Sequence, residues 1–185
     1  MVRRKYSDEE LKKARPGMDD LRNVPRLPIY AILENIRSAY NVGSMLRTAD
    51  ALHMARVELC GYSAFPPHKM ITKTALGAEH TVPWEKHASA IDRVDTLRRQ
   101  GMQIAVLEQT TDAVDFWAAP IRFPVCFVVG NEVTGVSDEV VAAADLCLVV
   151  PMMGVKQSLN VATAFGVVGF ELARRWHAGS ERLSP

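Results

Sequence analysis

Cysteine is scarce in this chain of 185 residues. There are three, Cys60, Cys126 and Cys147, far apart and none in a Cys-x-x-Cys pair. That argues against a disulfide framework and a thiolate zinc site, and it fits a reducing, cytoplasmic compartment. An excess of one charge sign is lacking too. The 22 Lys and Arg residues nearly balance 21 Asp and Glu, for a net charge of +1. No global field therefore draws a polyanion, and nucleic-acid binding would need a local patch. Long apolar runs are also missing. The longest nearly apolar stretch, Val161 to Ala173, is interrupted by Thr163, Glu171 and two glycines and is too short to span a bilayer. The start, Met-Val-Arg-Arg-Lys, leads into charged residues with no apolar segment, so no secretory signal is expected.

Several catalytic signatures are absent as well. There is no G-x-G-x-x-G after the first expected strand, no G-x-x-x-x-G-K-[ST] and no G-x-S-x-G. The histidines (His53, His68, His80, His87, His177) form no H-x-x-x-H pair, so no metal site is expected.

What remains is the balance of one globular domain, 48% hydrophobic and 23% charged. Residues 1–27 stand apart as a basic arm, with eight basic residues against five acidic ones. Ser7 and Glu10 form a capping-box pattern that predicts a short helix from about Asp8 to before Pro16. The arm reads either as a solvated tail or as a contact for a nucleic-acid backbone.

From residue 28 to 185 apolar runs alternate with helical patterns. Strands are expected at Ile29–Leu33, Val57–Cys60, Thr81–Trp84, Gln103–Leu107, Val125–Val129 and Leu146–Val150. Helices are expected at Asn41–Leu52, Lys69–Leu76, Ala88–Arg99, Ser137–Ala144 (Ser137 as N-cap) and Asn160–Trp176. Near-continuous β-branched runs suit a mostly parallel sheet flanked by helices, an α/β domain. The last helix is apolar nearly all round. Either it is central to its own fold, or one side covers the sheet and the other meets a second subunit, with Gly166 and Gly169 permitting close approach.

Three polar clusters follow expected strands, at the edge where ligands bind open α/β sheets. The first runs from Asn35 to Arg47. Arg47 lies four residues after Gly43 and would lean back over it toward the free N–H groups of the first turn, making an anion site. Asn41 adds an N-cap or a free amide. The second, Gly130-Asn-Glu-Val-Thr-Gly135, is a tight turn that lets backbone approach a ligand. The third, Val150 to Asn160, is a polar loop ending in Ser158 and Asn160, either of which could cap the following helix.

Taken in order, Asn41-Val-Gly-Ser-Met-Leu-Arg-Thr-Ala-Asp50, Gly130-Asn-Glu-Val-Thr-Gly135 and Ser158-Leu-Asn-Val-Ala162 resemble the SpoU (TrmH) family of RNA 2′-O-ribose methyltransferases, in the SPOUT superfamily. The resemblance extends from about Ile29 to Arg174, and Lys73-Thr-Ala-Leu-Gly-Ala-Glu79 looks like a subgroup feature without an assigned role. It implies a C-terminal deep trefoil knot, a rare exception to the rule against knots. It also implies S-adenosyl-L-methionine as cofactor, an RNA substrate (tRNA or rRNA), and a homodimer with the active site near the subunit interface. No metal is needed.

By this resemblance Asn41, Arg47, Glu132, Ser158 and Asn160 form the active-site set. The cofactor pocket comprises Leu107, Gln109, Thr110, Gly130, Asn131, Glu132, Val150, Met152, Ser158 and Leu159. Arg3, Arg4, Lys5, Arg37 and Arg47 would meet RNA, with tail arginines Arg174, Arg175 and Arg182 adding charge. Arg47 would hold a phosphate and activate the hydroxyl by position, because a guanidinium is a poor base. The competing expectations are an RNA-binding or assembly protein that has lost turnover, and a small-molecule α/β enzyme.

Overall fold

The computed structural model describes residues 3–14, 16–21 and 23–180; Arg15, Arg22 and Arg182 lie outside the described residues. In the arm, α1 (Asp8–Ala14) starts at the expected box. Ser7 N–H donates to Glu10 Oε2 at 2.7 Å, and Glu10 N–H donates back to Ser7 Oγ at 3.2 Å. A single turn, α2 (Met18–Leu21), follows. Arg26 already belongs to the packed body, since its guanidinium donates to the Met54 and Thr81 carbonyls at 3.1 and 2.7 Å.

The body runs β1 (Leu27–Glu34), α3 (Ala39–Ala51), β2 (Met54–Cys60), α4 (Lys69–Ala75), a 3-10 turn (Ala78–His80), β3 (Trp84–His87), α5 (Ala90–Arg99), β4 (Gln103–Leu107), β5 (Val114–Asp115), β6 (Val125–Val129), α6 (Asp138–Ala142), β7 (Leu146–Val149) and α7 (Val161–Ser180). The strands form one sheet in the order β3-β2-β1-β6-β4-β7-β5, and every neighbouring pair is parallel. Central β6 shows why an unbroken apolar run was needed: all five residues are buried. Val125, Phe127 and Val129 face the layer of α3, α4 and α7, while Cys126 and Val128 face α5 and α6. Phe127 meets Phe165 of α7 with ring centroids 4.9 Å apart. Truncating either ring to alanine would cost about 3–5 kcal/mol.

Several expected boundaries move, each for a local reason. No strand spans Thr81 to Trp84. Pro83 has no N–H to give a ladder, and β3 begins at Trp84 after the 3-10 turn. Helix α5 begins at Ala90 because Ser89 is its cap, accepting from Asp92 N–H at 3.2 Å. Strand β7 stops at Val149, before Pro151. Two-residue β5, on the sheet edge, was too short to register as a pattern. Ser137 holds the cap position of α6 but makes no capping bond. Its hydroxyl and N–H instead donate to the buried Glu34 carboxylate at 2.7 and 2.9 Å.

Gly166 and Gly169 of α7 face the α3 end of the same chain. A Cβ at Gly169 would lie 2.8 Å from Leu52 Cδ1, and one at Gly166 would touch Thr48 of α3. At Gly169 the missing side chain lets α7 lie close against the end of α3. Val167 and Phe170 remain on the outer side, 37% and 57% exposed. Among the described residues no helix is long and apolar enough to cross a membrane.

Candidate active site

Strands β1, β4, β6 and β7 deliver their following loops to one edge of the sheet, beside the point where the strand order turns back. After β6 the chain folds at once into a hairpin. Asn131 N–H donates to the Gly135 carbonyl at 3.0 Å, and Gly135 N–H donates to the Asn131 carbonyl at 2.9 Å. Gly135 has φ +71°, and a Cβ on Gly130 would collide with the backbone of Gly135 and Val136. Both glycines are thus required by the turn. Asn131 is buried and fully committed: its Oδ1 accepts from Val133 and Thr134 N–H, and its Nδ2 donates to the Asn35 carbonyl at 2.9 Å and Tyr62 Oη at 2.7 Å. It builds the turn and has no amide group to spare.

The hairpin presents Glu132 to the start of α3. Its Oε2 accepts from Arg37 N–H at 3.0 Å, and its Oε1 accepts from Ser38 N–H at 3.2 Å and from Asn41 Nδ2 at 2.8 Å. Asn41 Oδ1 in turn accepts from Asn160 Nδ2 at 3.3 Å. Burial pushes the Glu132 carboxyl up, but the donors from Arg37, Asn41 and Ser38 outweigh it and hold the group below its ordinary value.

This arrangement corrects the sequence reading of the first cluster. Ser38, not Asn41, caps α3, accepting from Asn41 N–H at 3.3 Å. The donors ahead of the helix do not await an external anion, because Glu132 supplies it. Gly43 is not bare: α4 packs on it, and a Cβ there would collide with the Thr74 side chain and the Ile71 carbonyl. In the third cluster Asn160 is the cap of α7, its Oδ1 accepting from Ala162 and Thr163 N–H at 3.0 and 3.4 Å. Ser158 is left exposed beside it.

Between these loops lies a cavity of about 460 Å³. Its walls include Leu107, Gln109, Gly130, Asn131, Glu132, Val150, Met152, Ser158, Leu159 and Asn160. Of the expected cofactor residues only Thr110 is elsewhere; its hydroxyl donates to Asp112 at 2.7 Å. Glu108 and Gln157 also line the cavity; neither is among the expected cofactor residues, but both fall inside stretches the sequence had singled out, the strand end from Leu107 to Thr110 and the polar loop after β7. The Gln109 side chain ties that loop down, its Nε2 donating to the Gln157 carbonyl at 2.6 Å.

The cationic residues divide. Arg47 is exposed on α3, outside the cavity wall, with no side-chain partner among the described residues; Arg37, Arg3 and Lys5 are likewise exposed and unpaired there. Arg4 is engaged by Glu10 at 2.6 and 2.9 Å. Arg174 and Arg175 both pair with Glu171 at 2.8 Å, and Arg175 also donates to the Phe116 and Ala119 carbonyls. Among the described residues one grouping offers metal-ligand atoms, Glu58, Glu85 and His87. There the buried Glu58 carboxylate is already held by Arg93 Nη2 at 2.6 Å and His87 Nε2 at 2.7 Å.

The family model described as the SpoU rRNA Methylase family matches residues 28–170, which include all three clusters and the cavity. The chain belongs to the SpoU rRNA methylase family. A relative, the tRNA (guanosine(18)-2′-O)-methyltransferase of Escherichia coli strain K12, is 35% identical over 150 residues, covering 80% of this chain and 64% of that protein. The chain thus spans less than two thirds of that relative's length. The A. aeolicus TrmH/SpoU tRNA modifying enzyme superposes with a TM-score of 0.77 at 28% identity, covering 84% of this chain and 79% of that one. An AdoMet-bound rRNA methyltransferase from Sinorhizobium meliloti superposes with a TM-score of 0.75 at 27% identity, over 80% of this chain and 56% of that one. The SpoU match begins just after Arg26 and Leu27, where the basic arm joins the sheet.

Proposed function

We propose that this SpoU protein transfers a methyl group from S-adenosyl-L-methionine to a ribose 2′-hydroxyl of tRNA or rRNA. The observation that carries the reading is the chain Asn160–Asn41–Glu132, which joins one residue from each cluster and has Glu132 and Asn160 in the cavity wall. The S. meliloti structure holds AdoMet, and the residues here fit such a ligand. The volume suits a small cofactor. Leu107, Leu148, Met152 and Leu159 give apolar walls for a planar base, and two carboxylates suit a cation. Leu107, Gln109, Gly130, Val150, Met152, Ser158 and Leu159 would hold the group. When bound, it supplies an electrophilic methyl on a sulfonium, open to in-line displacement.

The chain's own part is alignment and exclusion of water. Glu132 is ionised and engaged by three donors, so its work is to fix the Asn41 amide, and through it Asn160 in the cavity wall. Asn41, Asn160 and Ser158 would orient the ribose. Arg47 carries an unpartnered guanidinium that would hold the adjoining phosphate and offset charge building on the ribose oxygen. It does not line its own chain's cavity, which supports a homodimer in which a second subunit completes the site. The exposed Val167 and Phe170 on α7 support the same contact. Arg37, Arg3 and Lys5 would add phosphate contacts from outside the pocket. The same reading has the C-terminal segment threaded as a trefoil knot, residues 1–27 acting as an RNA-contacting arm, and the protein working in the cytoplasm.

The deciding experiment incubates the chain with methyl-labelled S-adenosylmethionine and bulk RNA, then maps ribose methylation by alkaline-resistant dinucleotides. Label in a 2′-O-methyl nucleotide is expected. RNA binding without label would leave an assembly protein, and salt-independent indifference to RNA would leave a small-molecule enzyme.

A further inference from the structure

Glu108 is the one ionisable wall residue that the clamp at α3 does not use. Among the described residues only two ionisable side chains line the cavity, Glu108 and Glu132, and both are acidic. The Glu132 charge is offset by the N–H groups of Arg37 and Ser38 and the Asn41 amide at the start of α3. Glu108, just past β4, is held otherwise: its Oε1 accepts from Gln109 N–H at 2.8 Å and its Oε2 from Val136 N–H at 3.0 Å. The bare Gly135 leaves room for this, since a Cβ there would collide with Glu108 Oε2. Glu108 has no ion-pair partner among the described residues, and Lys156 in the neighbouring loop is not part of the wall. A fixed, half-buried negative charge therefore faces the cavity with no cation to neutralise it, and each oxygen keeps a lone pair.

We propose that Glu108 determines the cavity's preference for the charged methyl donor over its neutral product. The inference rests on the reading that this cavity takes S-adenosylmethionine. That donor carries a sulfonium, an ammonium and a carboxylate, net +1. S-adenosylhomocysteine, left after the methyl has gone, has a thioether and is net neutral. A wall whose uncompensated charge is negative stabilises the donor and does little for the product. Glu108 thus favours loading of the donor and release of the product, without touching the reacting bond. Nothing in the local sequence Val106-Leu-Glu-Gln-Thr110 marks this residue; only its place in the wall does.

The test is calorimetric and needs no RNA. Three ligands are titrated into the full chain: S-adenosylmethionine, S-adenosylhomocysteine, and the analogue whose amine-bearing carbon replaces the sulfonium and keeps the net +1. The wild type is expected to bind both cations about tenfold more tightly than the neutral product. In Glu108→Gln that ratio falls toward about one while the product's Kd stays within about twofold. Glu108→Asp, which keeps the charge, retains the preference. Because Glu108→Gln must turn its new amide toward one of two N–H donors, a second measurement guards against misfolding. In the wild type, added salt weakens the two cations and leaves the neutral ligand unmoved. A ratio unchanged by Glu108→Gln, or a salt response equal for all three ligands, overturns this proposal alone. Failure of the wild type to bind either donor or product overturns the methyltransferase reading, and this inference with it.

Discussion

The Asn41 side-chain amide donates to the Glu132 carboxylate at 2.8 Å, joining positions 91 residues apart. With the N–H groups of Arg37 and Ser38 on the same carboxylate, one acidic side chain fastens the turn after β6 to the start of α3. An acid at a helix start is favoured by the helix dipole, but here it arrives from a different loop. The polar groups at the rim are therefore set by a tertiary clamp and not by each loop separately. Glu132→Ala would leave three donors without their partner. A loss of about 1–3 kcal/mol is expected in urea melts, together with a fall in methyl transfer of at least about tenfold. Unchanged transfer at unchanged stability would show that the clamp does not orient the site.

Arg47 predicts the opposite pattern. Its side chain is exposed and has no partner among the described residues, so the fold gains nothing from its charge. Arg47→Ala should move stability by no more than about 0.5 kcal/mol and leave the cofactor's Kd unaltered, while transfer to RNA is abolished. Arg47→Lys should rescue only partly, because an ammonium cannot make the paired contacts of a guanidinium. Loss of cofactor affinity in Arg47→Ala would move this residue from the RNA to the pocket.

Gly130→Ala tests the hairpin. The added methyl has nowhere to go except into Gly135 and Val136, which are backbone and cannot swing aside. The turn must open, which displaces Glu132 from α3 and Val136 N–H from Glu108. We expect a stability cost of about 1–3 kcal/mol and loss of calorimetric cofactor binding, where Gly154→Ala, in open space on the loop after β7, changes neither.

How much of this was legible in the sequence depended on whether the signal was local. The apolar runs of β4 and β6 announced a buried parallel sheet because burial on both faces forbids alternation. The Ser7–Glu10 box was readable because both partners lie within one turn. The motifs named Asn41, Glu132 and Asn160, but that they bond to one another was hidden, since each bond spans 91 or 119 residues. Ser38 and Asn41 are both good caps, and only the packing of Glu132 decides that Asn41 is free to reach it. Ser137 looked like an ordinary cap until the buried Glu34 claimed its hydroxyl. Glu108 carried no mark at all, because a lone acid after a strand is common and its meaning comes from the wall around it.

The arm offers a prediction about RNA alone. Arg26 is bonded to the Met54 and Thr81 carbonyls, so a truncation that spares the fold must keep it. Removing residues 1–25 should weaken RNA binding about tenfold or more at low salt and flatten its salt dependence, as loss of several phosphate contacts requires. Cofactor affinity should be untouched. Equal RNA affinity with and without these residues would reduce the arm to a solvated tail.

An acidic side chain of α7 makes the protein's stability depend on pH. Glu171 accepts from Arg174 Nε and Nη2 and from Arg175 Nε, all at 2.8 Å. The hydrogen bonds from Arg174 lead in holding its carboxyl down at about 2, against burial and with help from Arg175. Arg174 is 66% exposed and its share is screened by solvent, whereas Arg175 is 18% exposed and also grips the 116–119 loop. A folded carboxyl below its unfolded value stabilises the protein fully above the unfolded pKa, and that contribution is lost as pH falls toward the folded one. Glu171→Gln should therefore be less stable than wild type by about 2 kcal/mol at pH 7. The gap should narrow as pH falls from about 4.5 and close near about 2. Urea melts of both proteins across that range would show it. A gap that stayed constant into acid would mean that the Glu171 charge is not what binds α7 to the loop beneath it.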